Sequence, residues 1–341
     1  MEERIAIIGG GIAGLETASQ LSKKGFDVVV LEKKQITGGH VEQWHQVFPD
    51  FRDASEVLKN WNQHEISGQI KIGIDITNIN KTNGLFQIEL RDGEQITANA
   101  VVIASGFDLF DAHKKEEYGY GIYDNVITSA ELESFFNRKR EYLIKSGKTP
   151  QRIGIIHCVG SRDEKVGNPY CSKVCCITGV KQAIELKEIY PQAEVFCFYM
   201  DLRMFGLNYE DIYKEAQEKY GIQFIRGRLS ETSELQDGTV LLKVEDTLAG
   251  KPLKLSVDLV VLLVGMVKGS VNNELKKWLG IELDLFGFIK PPDAILQPNV
   301  TNVPGVFLAG ACSSPKNIGD TVNDARSAVL AVEKYFNHLK G

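Results

Sequence analysis

The fold is decided by residues 4–14, which read Arg4-Ile5-Ala6-Ile7-Ile8-Gly9-Gly10-Gly11-Ile12-Ala13-Gly14. The apolar run predicts a buried parallel strand, and the glycines follow it at once. An amphipathic pattern then predicts a helix from about Ala13 to Lys24. A second strand is predicted over Asp27–Leu31, with Glu32 at its end. This strand–helix–strand unit with G-x-G-x-x-G and a terminal acid is typical of dinucleotide binding.

Each residue of this motif has a physical role in such a site. Gly9 allows the tight turn, Gly11 lets the backbone approach a pyrophosphate, and Gly14 lets the helix pack closely on the strand. The helix N-terminus then points at the anion, and Glu32 can accept hydrogen bonds from the ribose hydroxyls. A glycine-rich turn that binds nothing is the alternative, but the flanking strands, helix and acid favour a bound dinucleotide.

Composition and charge exclude several classes of function. The chain has 341 residues, enough for two or three domains, and a net charge of −6. An overall basic surface for nucleic acid is therefore absent. The N-terminus has no signal-peptide pattern, and the apolar run Leu259–Val267 is too short to span a bilayer. We expect a cytoplasmic protein with no membrane insertion and no nucleic-acid partner.

Later segments resemble the two-dinucleotide-binding-domain flavoproteins, the family of glutathione reductase and thioredoxin reductase. Gly38-Gly39-His40 resembles the second glycine pair of that family, although His40 stands where Arg or Lys is usual. Ala104-Ser105-Gly106 resembles the A-T-G strand end. Residues 304–311 resemble the second FAD motif, except that Ala311 replaces the usual Asp. The resemblance implies FAD rather than NAD in the first domain.

The same resemblance implies an α/β fold in which a Rossmann-like domain interrupts a discontinuous FAD domain. The predicted boundaries are 1–117 for the first half of the FAD domain, 118–286 for the inserted NAD-like domain with the cysteines, and 287–341 for the second half. A helix from about Thr321 would point its N-terminus at the flavin pyrimidine. The residues expected to contact FAD are Gly9, Gly11, Ile12, Ala13, Gly14, Glu32, Lys33, Gly38, Gly39, His40, Ala104, Ser105, Gly106, Gly310, Ala311, Ile318 and Thr321.

The inserted domain lacks the expected second phosphate loop. A predicted strand, Arg152–His157, is followed by a segment in which Gly160 alone cannot supply a phosphate cradle. A helix predicted from about Ser172 would place two cysteines on one face, above a third at the strand end. We therefore expect four thiolates to converge at the C-terminal edge of the sheet. The four are Cys158, Cys171, Cys175 and Cys176.

Three kinds of site fit four clustered cysteines, and the spacing alone leaves them open. A [4Fe–4S] cluster takes four thiolates. Tetrahedral zinc also takes four, but C-x3-C-C is not its usual spacing. A redox dithiol with buried cysteines is the third possibility, although the chain contains no C-x-x-C. Of the two remaining cysteines, Cys197 is predicted to be a packed strand thiol and Cys312 a small filler near the flavin.

Four segments closely resemble the A-type subunit of heterodisulfide reductase and its relative in the quinone-interacting membrane-bound oxidoreductase complex. They are 158–163, 167–172, 174–176 and 224–228. The resemblance implies that the four cysteines bind a [4Fe–4S] cluster beside the FAD. It also implies that Lys181 lies near the flavin N5, where a cation would favour the reduced anionic flavin. From the helical pattern alone, Lys181 is a solvated lysine.

The chain resembles short forms of that family, with one FAD and at most one cluster. Such forms are similar to the A-type component of the heterodisulfide reductase-like complexes of sulfur-oxidising prokaryotes, with the quinone-linked relative as the nearest competitor. The resemblance implies an oxidoreductase that transfers electrons in cytoplasmic sulfur metabolism. Implied partners are B-type and C-type subunits, a lipoate-binding protein and a second copy in a homodimer. The alternatives are an NAD(P)H-dependent FAD disulfide-type oxidoreductase and a non-catalytic flavin-bound scaffold.

Overall fold

The structure is a computed structural model that describes residues 3–62, 66–138, 142–144 and 147–340. The strands are β1 (Arg4–Ile8), β2 (Asp27–Leu31), β3 (Gln46–Val47), β4 (Arg52–Asp53), β5 (Gly68–Lys71), β6 (Ile76–Thr82), β7 (Leu85–Leu90), β8 (Gln95–Ala98), β9 (Ala100–Ile103), β10 (Phe107–Leu109), β11 (Val126–Thr128), β12 (Arg152–Val159), β13 (Glu194–Tyr199), β14 (Gln223–Arg226), β15 (Leu229–Glu234), β16 (Val240–Asp246), β17 (Lys251–Val257), β18 (Leu259–Val264), β19 (Met266–Lys268) and β20 (Val306–Leu308). The helices are α1 (Ile12–Lys23), α2 (Ala54–Asn62), α3 (Ser129–Phe136), α4 (Cys175–Ile189), α5 (Tyr209–Glu218), α6 (Asn272–Leu279) and α7 (Ile318–Lys340).

The chain forms two compact units, and the first is discontinuous. Its described residues come from Met1–Glu42, Ser55–Asp108 and Val267–Gly341. A parallel sheet of order β20-β9-β1-β2-β5 crosses this unit, and β6, β7 and β8 form a separate antiparallel sheet. The central strands are apolar on both faces, as a parallel sheet covered by helices requires.

The turn after β1 is built from glycines because no side chain fits there. Gly9 has φ +109°, and a Cβ on it would lie 2.4 Å from the backbone oxygen of Ala104. A Cβ on Gly14 would lie 1.9 Å from the oxygen of Gly9. Helix α1 can therefore start directly above the strand end, and the predicted βαβ unit is confirmed.

The second unit is built from Gln43–Ala54 and the described residues of Leu109–Met266. Its parallel sheet has the order β11-β18-β12-β13-β14. The antiparallel strands β15, β16 and β17 form a second sheet. Helix α4 packs its apolar side on the parallel sheet, with Ile177, Val180 and Ile184 in one hydrophobic core. The α/β class and the Rossmann-like second unit are confirmed.

The second unit has different ends from the predicted inserted domain. It ends at Met266 rather than at residue 286, and it includes Gln43–Ala54, which the sequence pattern assigned to the FAD domain. The short pair β3 and β4 belongs to this segment. Phe48 and Phe51 pack on the core of the second unit, and this burial explains why the segment leaves the first unit.

Candidate functional site

The first unit brings the predicted glycine residues together around the start of α1. Gly11 precedes the helix, and no side chain caps the first turn. Gly39 lies opposite Gly11, and Gly38 donates its N–H to the oxygen of Gly10 at 2.8 Å. The backbone N–H groups of Ile12, Ala13 and Gly14 open the helix, so its N-terminus offers donors and a positive dipole end to an anion.

The carboxylate of Glu32 is buried and held at the end of β2. Its Oε2 accepts the N–H of Gly10 at 2.6 Å, and its Oε1 accepts the N–H of Lys34 at 2.7 Å. A carboxylate has about four lone-pair sites, so two bonds leave capacity for ribose hydroxyls. Lys33, a predicted cofactor contact, has an exposed side chain that pairs with Asp75 at 3.6 Å.

The ring of His40 lies against Phe107, with 4.4 Å between the two ring centroids. Its Nε2 lies 2.9 Å from the backbone oxygen of Phe107. Burial lowers the pKa of His40 from its ordinary value, so the ring is neutral at pH 7. The cation that is usual at this position is therefore missing here, as the replacement by histidine predicts.

The end of β9 leaves one polar side chain without a partner. Gly106 has φ +70° and open space where a Cβ would lie. The hydroxyl of Ser105 is buried and has no hydrogen-bond partner in the described part of the chain. A buried hydroxyl without a partner costs free energy, so a ligand atom here would be stabilised by it.

The second predicted FAD motif meets α1 and α7 at Gly310. A Cβ on Gly310 would lie 2.6 Å from the Cβ of Ala13 and 3.3 Å from a methyl group of Thr321. Helix α7 begins at Ile318, one turn before the predicted start at Thr321. The side chain of Asn317 accepts the N–H of Asp320 at 2.7 Å and so caps this earlier turn.

Asp324, in the second turn of α7, is a residue that the sequence pattern missed. Its Oδ2 accepts the N–H of Gly310 at 2.7 Å, and its backbone and side-chain oxygens accept from Asn299. The carboxylate also lies 3.7 Å from Nζ of Lys316. Ala311 cannot offer the carboxylate that is usual after this glycine, whereas Asp324 offers one beside the same backbone.

These features fit an extended dinucleotide. Close backbone packing at Gly9 and Gly14 leaves no room for side chains, and Gly11 leaves its backbone open beside Gly39, as a pyrophosphate site requires. Glu32 is positioned for a ribose, and Ser105 supplies an unused hydroxyl. An extended dinucleotide would give each of these groups a partner, and Lys33 is the predicted contact that the geometry supports least.

In the second unit, the four cysteines lie where β12 gives way to α4. Cys158 is in β12, and Cys175 and Cys176 open α4. The prediction that Cys171 shares the helix with Cys175 is wrong, because α4 begins only at Cys175. Lys173 has φ +64°, a left-handed conformation that a helix cannot continue through.

The loop before α4 is fixed by serine hydroxyls. Ser172 donates its N–H to the hydroxyl of Ser161 at 3.0 Å, and its own hydroxyl accepts the N–H of Met266 at 2.9 Å. Cys158 and Arg162 also have positive φ values, +61° and +54°. Left-handed non-glycine residues cost free energy, so the surrounding structure imposes this loop conformation.

The thiols lie close enough to shift one another's ionisation. The interaction between the thiols of Cys175 and Cys158 lowers the pKa of Cys158 and raises that of Cys175. Arg162 and Arg203 add to the lowering at Cys158 by Coulomb attraction. Burial raises the pKa of Cys176 to about 11, and Cys158 and Cys171 repel its thiolate. The structure therefore brings all four predicted cysteines into one electrostatic cluster.

No group of three or more His, Cys, Asp or Glu side chains is placed to hold a metal ion among the residues that the structure describes. The donor set nevertheless fits an iron–sulfur cluster in chemical type, since four cysteine thiolates are its usual ligands. In such a cluster each iron takes its own thiolate, so the thiolates surround the group instead of converging on one ion.

The space that a phosphate loop would occupy in the second unit is filled. A Cβ on Gly160 would lie 2.0 Å from the ring of Phe110, so this glycine serves aromatic packing. Asn168 donates its side-chain amide to the oxygen of Gly160 at 3.0 Å. The predicted loss of the second dinucleotide cradle agrees with this packing.

Lys181 lies inside the second unit, and its interpretation as a solvated lysine is wrong. Its Nζ lies 2.8 Å from Glu133 and 3.0 Å from Glu185, and it donates to the oxygen of Gln46 at 3.0 Å. Burial disfavours the ammonium, but the two carboxylates outweigh it and raise the pKa of Lys181. His45 reaches the same cluster through Glu185 at 2.9 Å. A contact between Lys181 and a flavin stays a prediction.

The two remaining cysteines are fully buried. Burial raises the pKa of Cys197 far above its ordinary value and that of Cys312 to about 12. The thiol of Cys312 donates to the oxygen of Ile103 at 3.2 Å. Neither cysteine is activated, which fits the prediction of packed thiols. Among the described residues, no helix is both long and apolar enough to cross a membrane.

Known proteins that are similar in sequence to this chain include the A-type subunits of heterodisulfide reductases. The H2/formate:CoB-CoM heterodisulfide,ferredoxin reductase of Methanococcus maripaludis has an A-type subunit that is 47% identical over 245 residues, covering 70% of this chain and 37% of the relative. The corresponding component of the H2:CoB-CoM enzyme of Methanothermobacter marburgensis is 42% identical and covers 96% of this chain and 63% of the relative. The chain thus spans about one third to two thirds of these relatives. The predicted resemblance to the A-type subunit of heterodisulfide reductase is confirmed.

Two solved structures similar to this one are thioredoxin reductases. Thioredoxin reductase of T. acidophilum has a TM-score of 0.68 at 23% identity and covers 99% of this chain and 100% of that one. Thioredoxin reductase of Lactococcus lactis has a TM-score of 0.69 at 18% identity and covers 98% and 99%. These likenesses confirm the predicted two-dinucleotide-binding-domain fold.

The family match leaves out one segment of the chain. Pyridine nucleotide-disulphide oxidoreductases match residues 3–156 and 175–330, so the interval with Cys158 and Cys171 lies outside the match. The match confirms an oxidoreductase and supports FAD as its cofactor. The chain belongs to the pyridine nucleotide-disulphide oxidoreductase family.

Proposed function

We propose that this chain is the FAD- and [4Fe–4S]-containing electron-transfer subunit of a heterodisulfide reductase-like complex. The observation that supports the proposal is that Cys158 lies near the end of β12 and Cys175 and Cys176 open α4, with Cys171 in the loop just before that helix. A dinucleotide-binding unit normally has its phosphate loop at this junction. The thiols therefore occupy a ligand position of the fold.

The first unit would hold FAD through its backbone. The start of α1 would face the pyrophosphate, Glu32 would accept from a ribose, and Gly310 would let the chain approach the cofactor closely. When bound, the flavin exchanges electrons in pairs or singly. The assignment of these residues to FAD is part of this proposal.

The second unit would hold the cluster and favour its negative charge. Four thiolates would bind the irons, and the N-terminus of α4 would direct its positive dipole end toward Cys175 and Cys176. Arg162 and Arg203 attract negative charge at Cys158. Burial of Cys158, Cys175 and Cys176 excludes water from this group.

The proposed setting is cytoplasmic sulfur metabolism. Relatives are named as subunits that act on CoB-CoM heterodisulfide, and this naming supports assembly with further subunits. The proposed partners are B-type and C-type subunits and a lipoate-binding protein, with a homodimer as the assembly of this chain. Electrons would pass between the flavin and the partner subunits through the cluster.

Anaerobic purification tests the proposal directly. We expect about four irons, about four sulfides and one FAD per chain, and an electron paramagnetic resonance signal after dithionite reduction. Cys175→Ala should abolish iron and signal but retain FAD. Cys197→Ala is the matched control, because it removes a fully buried strand thiol of the same unit that is not among the four proposed ligands.

Each other outcome contradicts a part of the proposal. A yellow protein without iron rules out the cluster. Rapid flavin reduction by NADH alone would favour an NAD(P)H-dependent disulfide-type oxidoreductase. A flavin that no donor or partner reduces would favour a scaffold. Joint loss of FAD and iron in Cys175→Ala would show that the cysteines support the flavin-binding structure itself.

A further inference from the structure

Arg162 follows Cys158 by four residues and pairs with an acid at the surface of the second unit. Its Nη2 donates to Asp201 Oδ2 at 2.7 Å, and that carboxylate is half-exposed. Its Nη1 is buried and has no hydrogen-bond partner of nitrogen or oxygen in the described part of the chain. One edge of the guanidinium is thus fixed by an acid, and a second N–H is directed into the protein.

The acid that fixes Arg162 also borders the thiols. The thiol of Cys176 donates to the backbone oxygen of Asp201 at 3.6 Å, and the side chain of the same Asp201 holds the guanidinium. A buried donor without an acceptor costs free energy. Such a cost persists in a folded protein when the group serves a bound ligand or a charge that the polypeptide alone does not supply.

The backbone at Arg162 is also constrained. The residue has φ +54°, and its N–H donates to the oxygen of Tyr170 at 2.8 Å. An arginine in the left-handed region gains nothing from its own conformational preference. The loop, which also joins the N–H of Ser161 to the oxygen of Cys158 at 3.2 Å, therefore holds Arg162 in this conformation against that preference.

We propose that Arg162 sets the reduction potential of the cluster that the four cysteines would hold, with Asp201 as its opposing charge. The inference rests on the proposed function. One-electron reduction adds one negative charge to the cluster, and the fixed cation of Arg162 stabilises that charge. Asp201 orients the guanidinium and partly cancels its charge.

The test is a potentiometric titration with dithionite, followed by electron paramagnetic resonance, on the iron-loaded full chain. In Arg162→Gln, the equilibrium constant for reduction should fall about tenfold, which is about 59 mV for a one-electron couple. Asp201→Asn should shift the constant in the opposite direction, because a negative charge is removed. Arg228→Gln is the matched control, because this half-exposed arginine pairs with Asp163.

Iron and sulfide analysis separates the two proposals. If the wild type holds iron and Arg162→Gln titrates like Arg228→Gln, the role of Arg162 is overturned while the proposed function stands. If the wild type holds no iron, the proposed function fails and the role of Arg162 fails with it. If Arg162→Gln binds no cluster, the Asp201→Asn variant decides the question. A cluster potential in Asp201→Asn that is equal to or lower than that of the wild type overturns the inference.

Discussion

Replacing Lys181 with methionine removes a buried cation and leaves two carboxylates unpaired. In the wild type, Nζ lies 2.8 Å from Glu133 and 3.0 Å from Glu185, and all three side chains are buried. Methionine has a similar length and apolar stem, so the change removes charge with little change in packing. Removal of one partner from a buried ion pair costs about 3–5 kcal/mol in the free energy of unfolding.

Protonation of one carboxyl group sets an upper limit on this cost. Protonating a glutamate with an ordinary pKa of about 4.3 costs about 1.4 kcal/mol for each unit by which the pH exceeds that pKa. This cost is about 3.7 kcal/mol at pH 7. Burial already raises the pKa of Glu185, so the proton goes there first. Because its folded pKa exceeds its unfolded pKa, stability is lost as the pH rises toward the folded value. We expect the loss of unfolding free energy in Lys181→Met to be about 2 kcal/mol smaller at pH 5.5 than at pH 7.

Hydrogen–deuterium exchange of the α4 amides measures the opening free energy of this part of the second unit. Lys214→Met on α5 is the matched control, since this lysine is exposed and lies 3.9 Å from Glu218. The control should change the opening free energy by less than about 0.5 kcal/mol. A deficit in Lys181→Met as small as the control, or one that does not depend on pH, would contradict the buried-charge account.

Two further variants test the first unit and the partner of Glu185. Gly14→Ala places a Cβ 1.9 Å from the oxygen of Gly9, so the amount of FAD bound per chain should fall at least about tenfold. The absorbance of the released flavin measures this amount. Gly25→Ala is the control and should retain FAD, because Gly25 is left-handed but has open space where a Cβ would lie. The hydrogen bond to Glu185 raises the pKa of His45, so its stabilisation is complete below about pH 6.5 and is lost as the pH rises through the higher folded value. Urea unfolding of His45→Gln should therefore approach the wild type at pH 8, and a gap that widens with pH would exclude this role.

The regular elements around the first glycine motif could be predicted because local and tertiary preferences agree there. The structure has β1 at Arg4–Ile8 and β2 at Asp27–Leu31, as the apolar runs indicate. Helix α1 ends one residue before the predicted stop, and Gly25 follows in the left-handed region. Apolar periodicity and glycine punctuation are sufficient in this region.

The start of α4 could not be predicted, because distant contacts decide it. Ser172 looks like a helix N-cap, but Ser161 and Met266 use its polar groups instead. The backbone of Lys173 then turns into the left-handed region. A spacing of four between Cys171 and Cys175 predicts one helical turn, whereas the chain forms a loop over most of this interval.

The burial of the charged side chain of Lys181 could not be predicted from the sequence either. Lys181 follows a helical pattern with polar neighbours, which predicts a solvated side chain. Its acidic partner Glu133 comes from α3, far away in the chain, and only the fold brings the two together. Asp324 and Arg162 are similar cases. Asp324 binds the N–H of Gly310, and Arg162 binds the side chain of Asp201, and in both pairs the partner comes from another segment of the chain.

The interval 157–174 shows how the second site differs from the first while using the same electrostatics. At β1 the chain offers glycines and an uncapped helix start, which suit a diphosphate. At β12 the family match stops, Phe110 fills the space beside Gly160, and thiols open α4. Helix dipole and arginine charge still favour an anion at this junction. On the proposed function that anion is a thiolate-bound cluster, so electrons reach the place where a dinucleotide fold would otherwise bind a second nucleotide.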